Sequence, residues 1–498
     1  MLSTLFLTLV VSPRPIAPAV LVPTIQEEGA EFEAKMSEAG DDVAKLWELH
    51  LWCRENSKYS ESRQVLKKIV ELDSEHQEAR KALGHHYYDN QWFETYTALA
   101  KHKRTEEAEM EAKGLARFGD GWAPIADIPF LRMQWEKDDS GTWVNPHKKA
   151  RSEERAKLEE EGWKLQDMTW ISPDEQTKIE EGLFKCGDQW LALAEANTFH
   201  STPYQWWTIP GERFVVWSTC DRKIAEFAIQ WADVTYATLA SLYGMQPDEK
   251  PPVTVLRSLA QYNTFAAGDQ NLGLPAAEGT GASSCHYAFF GEAMVDGRSQ
   301  PPEYRGQGVA YWDVADPKLE PFGPLSIKHA AALSYAEAID PSWDTISKII
   351  ANPASAQGGI PATFWTEKKI PAWIRYGIAS YVERYAPDPG KAEGEGRWGL
   401  RNWAFSEVKR KGGLRELDVV FTLQLDPADQ EGSSRLISEA GCLVSFVVDG
   451  RIPDVTEKHA AFKAALRGGD KAACDAAVVA LQDAIKAYED ELKLYAGL

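Results

Sequence analysis

Four times between residues 84 and 190 a glycine stands eight positions before a tryptophan: Gly84 and Trp92, Gly114 and Trp122, Gly162 and Trp170, Gly182 and Trp190. A fifth copy ends at Asp139-Ser140-Gly141-Thr142-Trp143 without its leading glycine. Turn-forming residues precede each Trp at Asp89-Asn90, Asp120-Gly121, Asp167-Met168 and Gly187-Asp188. Acidic helix ends run into the glycines, as in Glu160-Glu161-Gly162 and Glu180-Glu181-Gly182. Glycine just past a helix end enters the left-handed region without steric cost. Short runs flanking a two-residue turn read as hairpins. The spacing therefore predicts a repeating unit of helix, glycine stop, short hairpin, Trp and helix. Ser172-Pro173-Asp174-Glu175 reads as a capping box that starts one such helix. Because the Trp is locked to the turn, it is expected to plug its hairpin onto the adjoining helix as a core residue. A row of aromatics open to glycan or peptide is the competing reading.

Before the repeats, Leu46, Leu49 and Trp52-Cys53, then Val65, Ile69 and Leu72, recur at helical spacing on either side of Asn56-Ser57-Lys58-Tyr59. This helical hairpin resembles a tetratricopeptide unit and needs a neighbour to bury its apolar face. At the start of the chain, Leu2 to Val11 is an apolar run followed by Pro residues and by Ala17-Pro18-Ala19, the small-residue pattern of an export signal. The run is shorter than the ~20 residues that span a bilayer. No transmembrane anchor is expected in the mature chain, and the expected location is periplasmic or extracellular.

Lys+Arg number 54 against 75 Asp+Glu, a net charge of −21. A field of that sign repels phosphate backbones, and no local basic patch offsets it, so nucleic acid is not expected as a partner. The six cysteines, Cys53, Cys186, Cys220, Cys285, Cys442 and Cys474, are scattered without a CxxC pair, which argues against zinc ribbons and thioredoxin-type redox chemistry.

After Thr198 the repeat stops. Trp206-Trp207 and Phe214 to Trp217 read as strand, and Arg222 to Leu242 as one long amphipathic helix ending at Gly244. Val253 to Leu256 reads as strand, and loops are expected over Ala266–Ser284 and Gly297–Gly308, with His286 in a loop able to fold toward the helix that follows. Leu325 to Ile339 is helical by propensity and contains His329. Helices are also expected over Gly399–Lys411, Ile437–Val448, His459–Leu466 and Ala472–Tyr495.

The segment Ile370 to Glu383 carries Pro371, Trp373, Gly377, Ala379 and Tyr381 in sequence. It resembles the second zinc-ligand helix of the gluzincin metallopeptidases, in particular the peptidase MA-like families of secreted bacterial proteins. The resemblance implies a helix presenting His-Glu-x-x-His, whose two His bind zinc while the Glu activates water, and a third ligand from the second helix. Laid on this chain, those positions are His329, Ala330, Leu333 and Tyr376. One donor of four remains, and a lone neutral imidazole does not hold zinc against water. Glu337 lies two helical turns, roughly 12 Å, beyond His329, and Glu383 is similarly displaced from Tyr376. Neither restores the i, i+4 geometry.

Ser283-Ser284-Cys285-His286 places a thiol next to an imidazole, but catalytic partners are normally brought together by the fold from distant positions. The Gly358-Gly359 and Gly412-Gly413 pairs lack phosphate-loop spacing.

These readings combine into an α+β chain. Residues 1–22 are an export signal, 23–83 a tetratricopeptide-like hairpin, 84–200 the Gly–Trp repeats, and 201–498 a mainly α-helical, degenerate gluzincin-like domain with a small sheet. The expected function is non-catalytic: an exported pseudo-metallopeptidase binding a protein or glycan partner, with His329, Trp373, Tyr376 and Tyr381 lining a cleft and no cofactor. The alternative is an active zinc-dependent hydrolase with a non-standard metal site.

Overall fold

The computed structural model describes residues 25–203, 205–268, 283–290, 293–295, 298–300, 303–356, 359–392, 403–423, 425 and 429–498. The expected export signal and most of the loop expected over 266–284 lie outside them. The fold is α+β, in two compact units, residues 1–125 and 126–498.

In the first unit, α1 (Ile25–Ala39), α2 (Val43–Glu55), α3 (Tyr59–Leu72) and α4 (Gln77–Leu83) precede a hairpin of β1 (His86–Tyr88) and β2 (Gln91–Phe93). Next come α5 (Tyr96–Glu111) and a hairpin of β3 (Leu115–Phe118) and β4 (Gly121–Pro124). The α2–α3 hairpin is the expected one, and its apolar stripe closes a core of Phe32, Leu46, Leu49, Cys53, Val65, Leu66 and Ile69. Leu72, expected on that stripe, is instead exposed.

The second unit begins with α6 (Ile128–Arg132), the short pair β5 (Glu136–Lys137) and β6 (Trp143–Val144), and α7 (Pro146–Glu160). The hairpin of β7 (Lys164–Gln166) and β8 (Thr169–Ile171) leads to α8 (Gln176–Glu180). That of β9 (Phe184–Cys186) and β10 (Gln189–Leu191) leads to α9 (Leu193–Phe199). Gly84, Gly114, Gly162 and Gly182 all adopt positive φ, between 73° and 82°, so each repeat glycine is the helix stop its position requires. Asp89-Asn90 and Asp167-Met168 have positive φ at both turn positions, as a type I′ turn demands. The second turn in chain order is Gly119-Asp120, one residue earlier than expected: Gly119 supplies the positive φ and Gly121 already opens β4.

The repeat tryptophans are half-buried rather than core residues. What anchors two of them is a carboxylate on or beside the preceding helix. Trp143 donates its indole N–H to Asp127 at 3.2 Å, and its cross-strand partner Lys137 donates to the same carboxylate at 2.9 Å. Trp190 donates to Glu175 at 3.2 Å, and its partner Lys185 does so at 2.7 Å. Glu175 is thereby drawn away from the expected capping box. Ser172 donates to the Glu175 carboxylate at 3.2 Å and makes no backbone cap.

Then follow β11 (Trp207–Pro210), β12 (Val215–Ser218), α10 (Arg222–Asp233), α11 (Tyr236–Tyr243), β13 (Pro252–Leu256) and α12 (Leu259–Ala266). The expected single helix over 222–242 is broken because the Asp233 carboxylate accepts the backbone N–H groups of Glu212, Arg213 and Phe214, which ties the end of α10 to the loop before β12. The strands β14 (Ser283–Phe290), β15 (Ala293–Val295), β16 (Arg298–Gln300) and β17 (Glu303–Tyr311) come next. The loop expected over 297–308 is therefore largely strand, because β17 takes up main-chain hydrogen bonds on both sides. The sheet order is β11-β12-β13-β17-β14, with β12, β13 and β17 parallel and the outer two strands antiparallel to their neighbours.

The remainder is helical: α13 (Gly323–Ile339), α14 (Trp343–Ala351), α15 (Ala362–Glu367), α16 (Ala372–Tyr385), α17 (Trp403–Arg410), α18 (Leu417–Phe421), α19 (Gln430–Asp449), α20 (Pro453–Gly468), α21 (Lys471–Ala487) and α22 (Glu489–Ala496). The last two divide at Tyr488 a stretch expected as one helix. No described helix is long and apolar enough to cross a membrane.

Within the second unit, the β7–β8 and β9–β10 repeats pack on the sheet through side chains from both. Arg222, at the start of α10, forms a bidentate pair with Asp167 at the tip of the β7–β8 hairpin. Its guanidinium also lies 4.7 Å from the Phe184 ring and 4.9 Å from that of Trp207.

Candidate functional site

Helices α13 and α16 hold the four ligand and base positions that the resemblance implies. Helix α13 lies on one face of the sheet at very close range: a Cβ built on Gly308 of β17 would stand 1.9 Å from the Ala330 carbonyl oxygen. Ser334 completes the contact. Its hydroxyl accepts the Gly308 N–H at 2.7 Å and donates to the Pro252 carbonyl at 2.6 Å. Nearly all of α13 is consequently buried. Helix α16 packs against α13 on one side and α19 on the other. There too a glycine makes the approach possible, since a Cβ on Gly377 would lie 2.6 Å from the Ala440 carbonyl oxygen.

This packing accounts for several of the residues that carry the gluzincin resemblance. Gly377 admits α19. Trp373 packs on Phe421 of α18 with centroids 5.2 Å apart, and Tyr381 donates to Asp449 at the end of α19 at 3.2 Å. Pro371 precedes the first residue of α16, where its lack of an N–H costs nothing.

At the ligand positions, Ala330 and Leu333 are fully buried hydrocarbon, and Tyr376 is a buried phenol whose ring lies 6.3 Å from that of His329. His329 pairs through Nδ1 with Glu383 Oε2 at 3.0 Å. Glu383, displaced from the third-ligand position, is thus the carboxylate that meets the histidine. Its other oxygen takes Arg384 at 3.1 Å. His329, Trp373, Tyr376 and Tyr381 are each at most 8% exposed, so they lie in the packed interior and not on an open wall. The residues present do not fit a zinc ion: one imidazole, already paired, stands among hydrocarbon and phenol. Among the described residues no three His, Cys, Asp or Glu side chains converge as a metal site would need.

Two turns further along α13, Glu337 is the centre of a buried charge cluster. Its carboxylate takes Lys368 at 2.6 Å, Arg375 at 3.0 Å, Tyr304 at 2.7 Å and Tyr287 at 3.1 Å. Burial alone would raise its carboxyl, but Lys368 and Arg375 outweigh that and hold it below the usual carboxylate range. Asp340 extends the cluster by accepting the backbone N–H groups of Lys369 and Ile370. Sequence reasoning treated Glu337 only as a displaced ligand. The available signal was a carboxylate amid the mostly apolar second half of a helix, which must find a cation once buried; Arg375, inside the apolar start of α16, is one of the two it finds.

Cys285 and His286 are neighbours on β14, so they point to opposite faces of the sheet and form no dyad. His286 is on a strand rather than in a loop, and it faces away from α13. A Cys–His contact does form elsewhere: Cys186 of β9 lies 3.4 Å from His200 Nε2, while His200 Nδ1 donates to the Gln205 carbonyl at 2.7 Å. Burial raises the Cys186 thiol and lowers the His200 imidazole, so both favour their neutral forms.

The chain matches no protein family, no characterised protein and no solved structure at a significant level.

Proposed function

We propose that this chain is an exported, non-catalytic protein in which a pseudo-metallopeptidase domain serves binding or scaffolding at the cell envelope, with a protein or glycan as its partner. The observation that carries the reading is the content of the four ligand positions: His329 paired to Glu383, and Ala330, Leu333 and Tyr376 without a carboxylate or second imidazole. Hydrolysis through zinc needs a ligand set and a base beside the bound water, and these positions supply neither. The helix pair is retained as a packing unit, because Gly308 and Gly377 still admit close helix contacts and the Glu337 cluster ties the helices to the sheet edge.

The test is zinc per chain, by elemental analysis of protein purified without chelator or added metal. Near-zero zinc is expected. About one zinc per chain, lost in His329→Ala, would overturn the reading and favour a hydrolase with a non-standard site.

A further inference from the structure

Helix α5 carries its charges in the order that an isolated helix resists. Lys101, Lys103 and Arg104 come first, and Glu106, Glu107, Glu109 and Glu111 follow. Its first turn holds no acidic residue and its last turn no basic one, whereas the macrodipole favours acids early and cations late. A basic residue four places before an acidic one is also the weaker arrangement within one helix. Packing offsets little of this, because Leu99 is the only buried residue of α5.

Two of these charges are engaged with the preceding hairpin. The Lys103 ammonium lies 4.4 Å from the centre of the Tyr88 ring, and Glu106 accepts the Tyr88 hydroxyl at 2.7 Å. Lys101, Arg104, Glu107, Glu109 and Glu111 are exposed, and none of them has an ion pair among the described residues. Lys101, Arg104, Ala108 and Glu111 recur at three- and four-residue spacing, so they form one outward stripe, basic at one end and acidic at the other. Helix α7 behaves differently. Its Arg155 pairs with Glu159 at 2.9 Å and its Lys157 with Glu161 at 3.8 Å, both one turn along the same segment.

The α5 stripe is complementary to itself. Lys101 and Glu111 stand about 15 Å apart along the axis, so they cannot pair within one helix. Two copies laid antiparallel about Glu106 set Lys101 of each opposite Glu111 of the other. Arg104 then faces Ala108 of the second copy, whose small side chain leaves it room to reach Glu107 or Glu111 there. A two-fold contact makes every such pair twice, which a stripe of one sign could not do. An anionic polymer would be repelled by the acidic end, and a cationic peptide by the basic end.

We propose that α5 is a self-association surface, along which two copies of the chain meet antiparallel through reciprocal Lys101–Glu111 pairs. The net charge of −21 repels the copies at long range. Salt at about 0.15 M confines that repulsion to a Debye length of about 8 Å and leaves pairs in contact less affected. Exposed ion pairs are individually weak, so the dimer is transient. The surface does not depend on the pseudo-enzyme reading, and zinc content says nothing about it.

The test is sedimentation velocity of the full chain at about 100 µM, in about 0.15 M and about 1 M NaCl. A dimer that dissociates in the higher salt is expected. Lys101→Glu with Arg104→Glu makes the stripe wholly acidic, and Glu107→Lys with Glu111→Lys makes it wholly basic. Each double variant alone should self-associate at least about tenfold more weakly, and an equimolar mixture of the two should recover the dimer. All four residues are exposed, so both variants should keep the wild-type circular dichroism melt. Should either fail to fold, Lys101→Gln with Glu111→Gln removes both ends without adding a charge and should weaken the dimer likewise. A chain that is monomeric in both salts overturns the proposal. So does a dimer that neither charge reversal weakens, or a mixture of the two folded variants that stays monomeric.

Discussion

His329 on α13 meets Glu383 on α16 at 3.0 Å, and Glu337 on α13 meets Arg375 on α16 at the same distance. The two pairs are equally spaced along both helices, which run antiparallel, so a hydrogen-bonded pair stands at either end of one interface. The pairs differ in depth. Glu337 and Arg375 are at most 4% exposed in their side chains, whereas Glu383 retains 16%.

That difference sets unequal costs. Glu337→Gln leaves Lys368 and Arg375 buried without their counter-ion and should destabilise the chain by about 3–5 kcal/mol. Glu383→Gln keeps a hydrogen-bonding group at a wetter site and should cost about 1–2 kcal/mol. Urea unfolding of the two variants checks the ranking. Equal losses would mean that the Glu337 cluster is not the stronger tie.

Close helix packing rests on two glycines. Gly308→Ala would place a methyl group on the Ala330 backbone, and Gly377→Ala would place one against the Ala440 carbonyl. Neither backbone can yield without moving its helix, so each change should cost at least about 1–3 kcal/mol. Gly468→Ala, with open space around its Cβ and no positive φ, is the control for adding a methyl group where nothing is met. Circular dichroism melts of the three variants measure the order.

The carboxylate that holds Trp190 is local in its effect. Glu175→Ala removes the acceptor of both Trp190 and Lys185. Amide exchange over β9 and β10 should accelerate, while the main melting transition hardly moves, because Glu175 is partly exposed and its hydrogen bonds are to this hairpin and to Ser172. Exchange unchanged over residues 184–191 would show that the hairpin is held by apolar contacts alone.

Burial lowers the His286 imidazole to about 4. The unfolded chain binds a proton below about pH 6.5 that the folded chain refuses until about pH 4. This group therefore costs nothing above that window, and within it removes about 1.4 kcal/mol of stability per pH unit as pH falls. The depressed Glu337 carboxyl acts lower still, its contribution being lost only as pH drops through its folded value. Comparing wild type with His286→Gln at about pH 7.5 and pH 5 isolates the histidine, and the variant should lose less stability on acidification.

Much of the local structure was legible in the residues themselves. The Gly–Trp spacing marked helix stops and hairpins because a left-handed glycine and a two-residue turn are decided by backbone sterics within a few residues. Periodicity likewise located α2 and α3, since an apolar stripe at helical spacing is a property of the segment alone, and residue propensity located α13. The absence of a carboxylate or imidazole at positions 330, 333 and 376 was also plain from sequence, and it bears directly on what chemistry the helix pair can do.

Other features were decided only by the tertiary structure. Residues 303–308 became strand because β13 and β14 offered main-chain partners on both sides, which no Pro- and Gly-rich composition announces. Asp233 broke a continuous amphipathic pattern by capping three amides from a different part of the chain. Glu337, Arg375 and Lys368 each read as an isolated charge, and only the antiparallel packing of α13 and α16, with the turn after α15, brought them within hydrogen-bond reach. His286 could be assigned a face once its strand and register were known, because strand alternation, not proximity in sequence, sets the direction of a side chain. The sequence by itself determined where the chain turns and which stripes must be buried. Which charges meet inside, and which polar groups are left facing one another, depended on long-range register that no local pattern encodes.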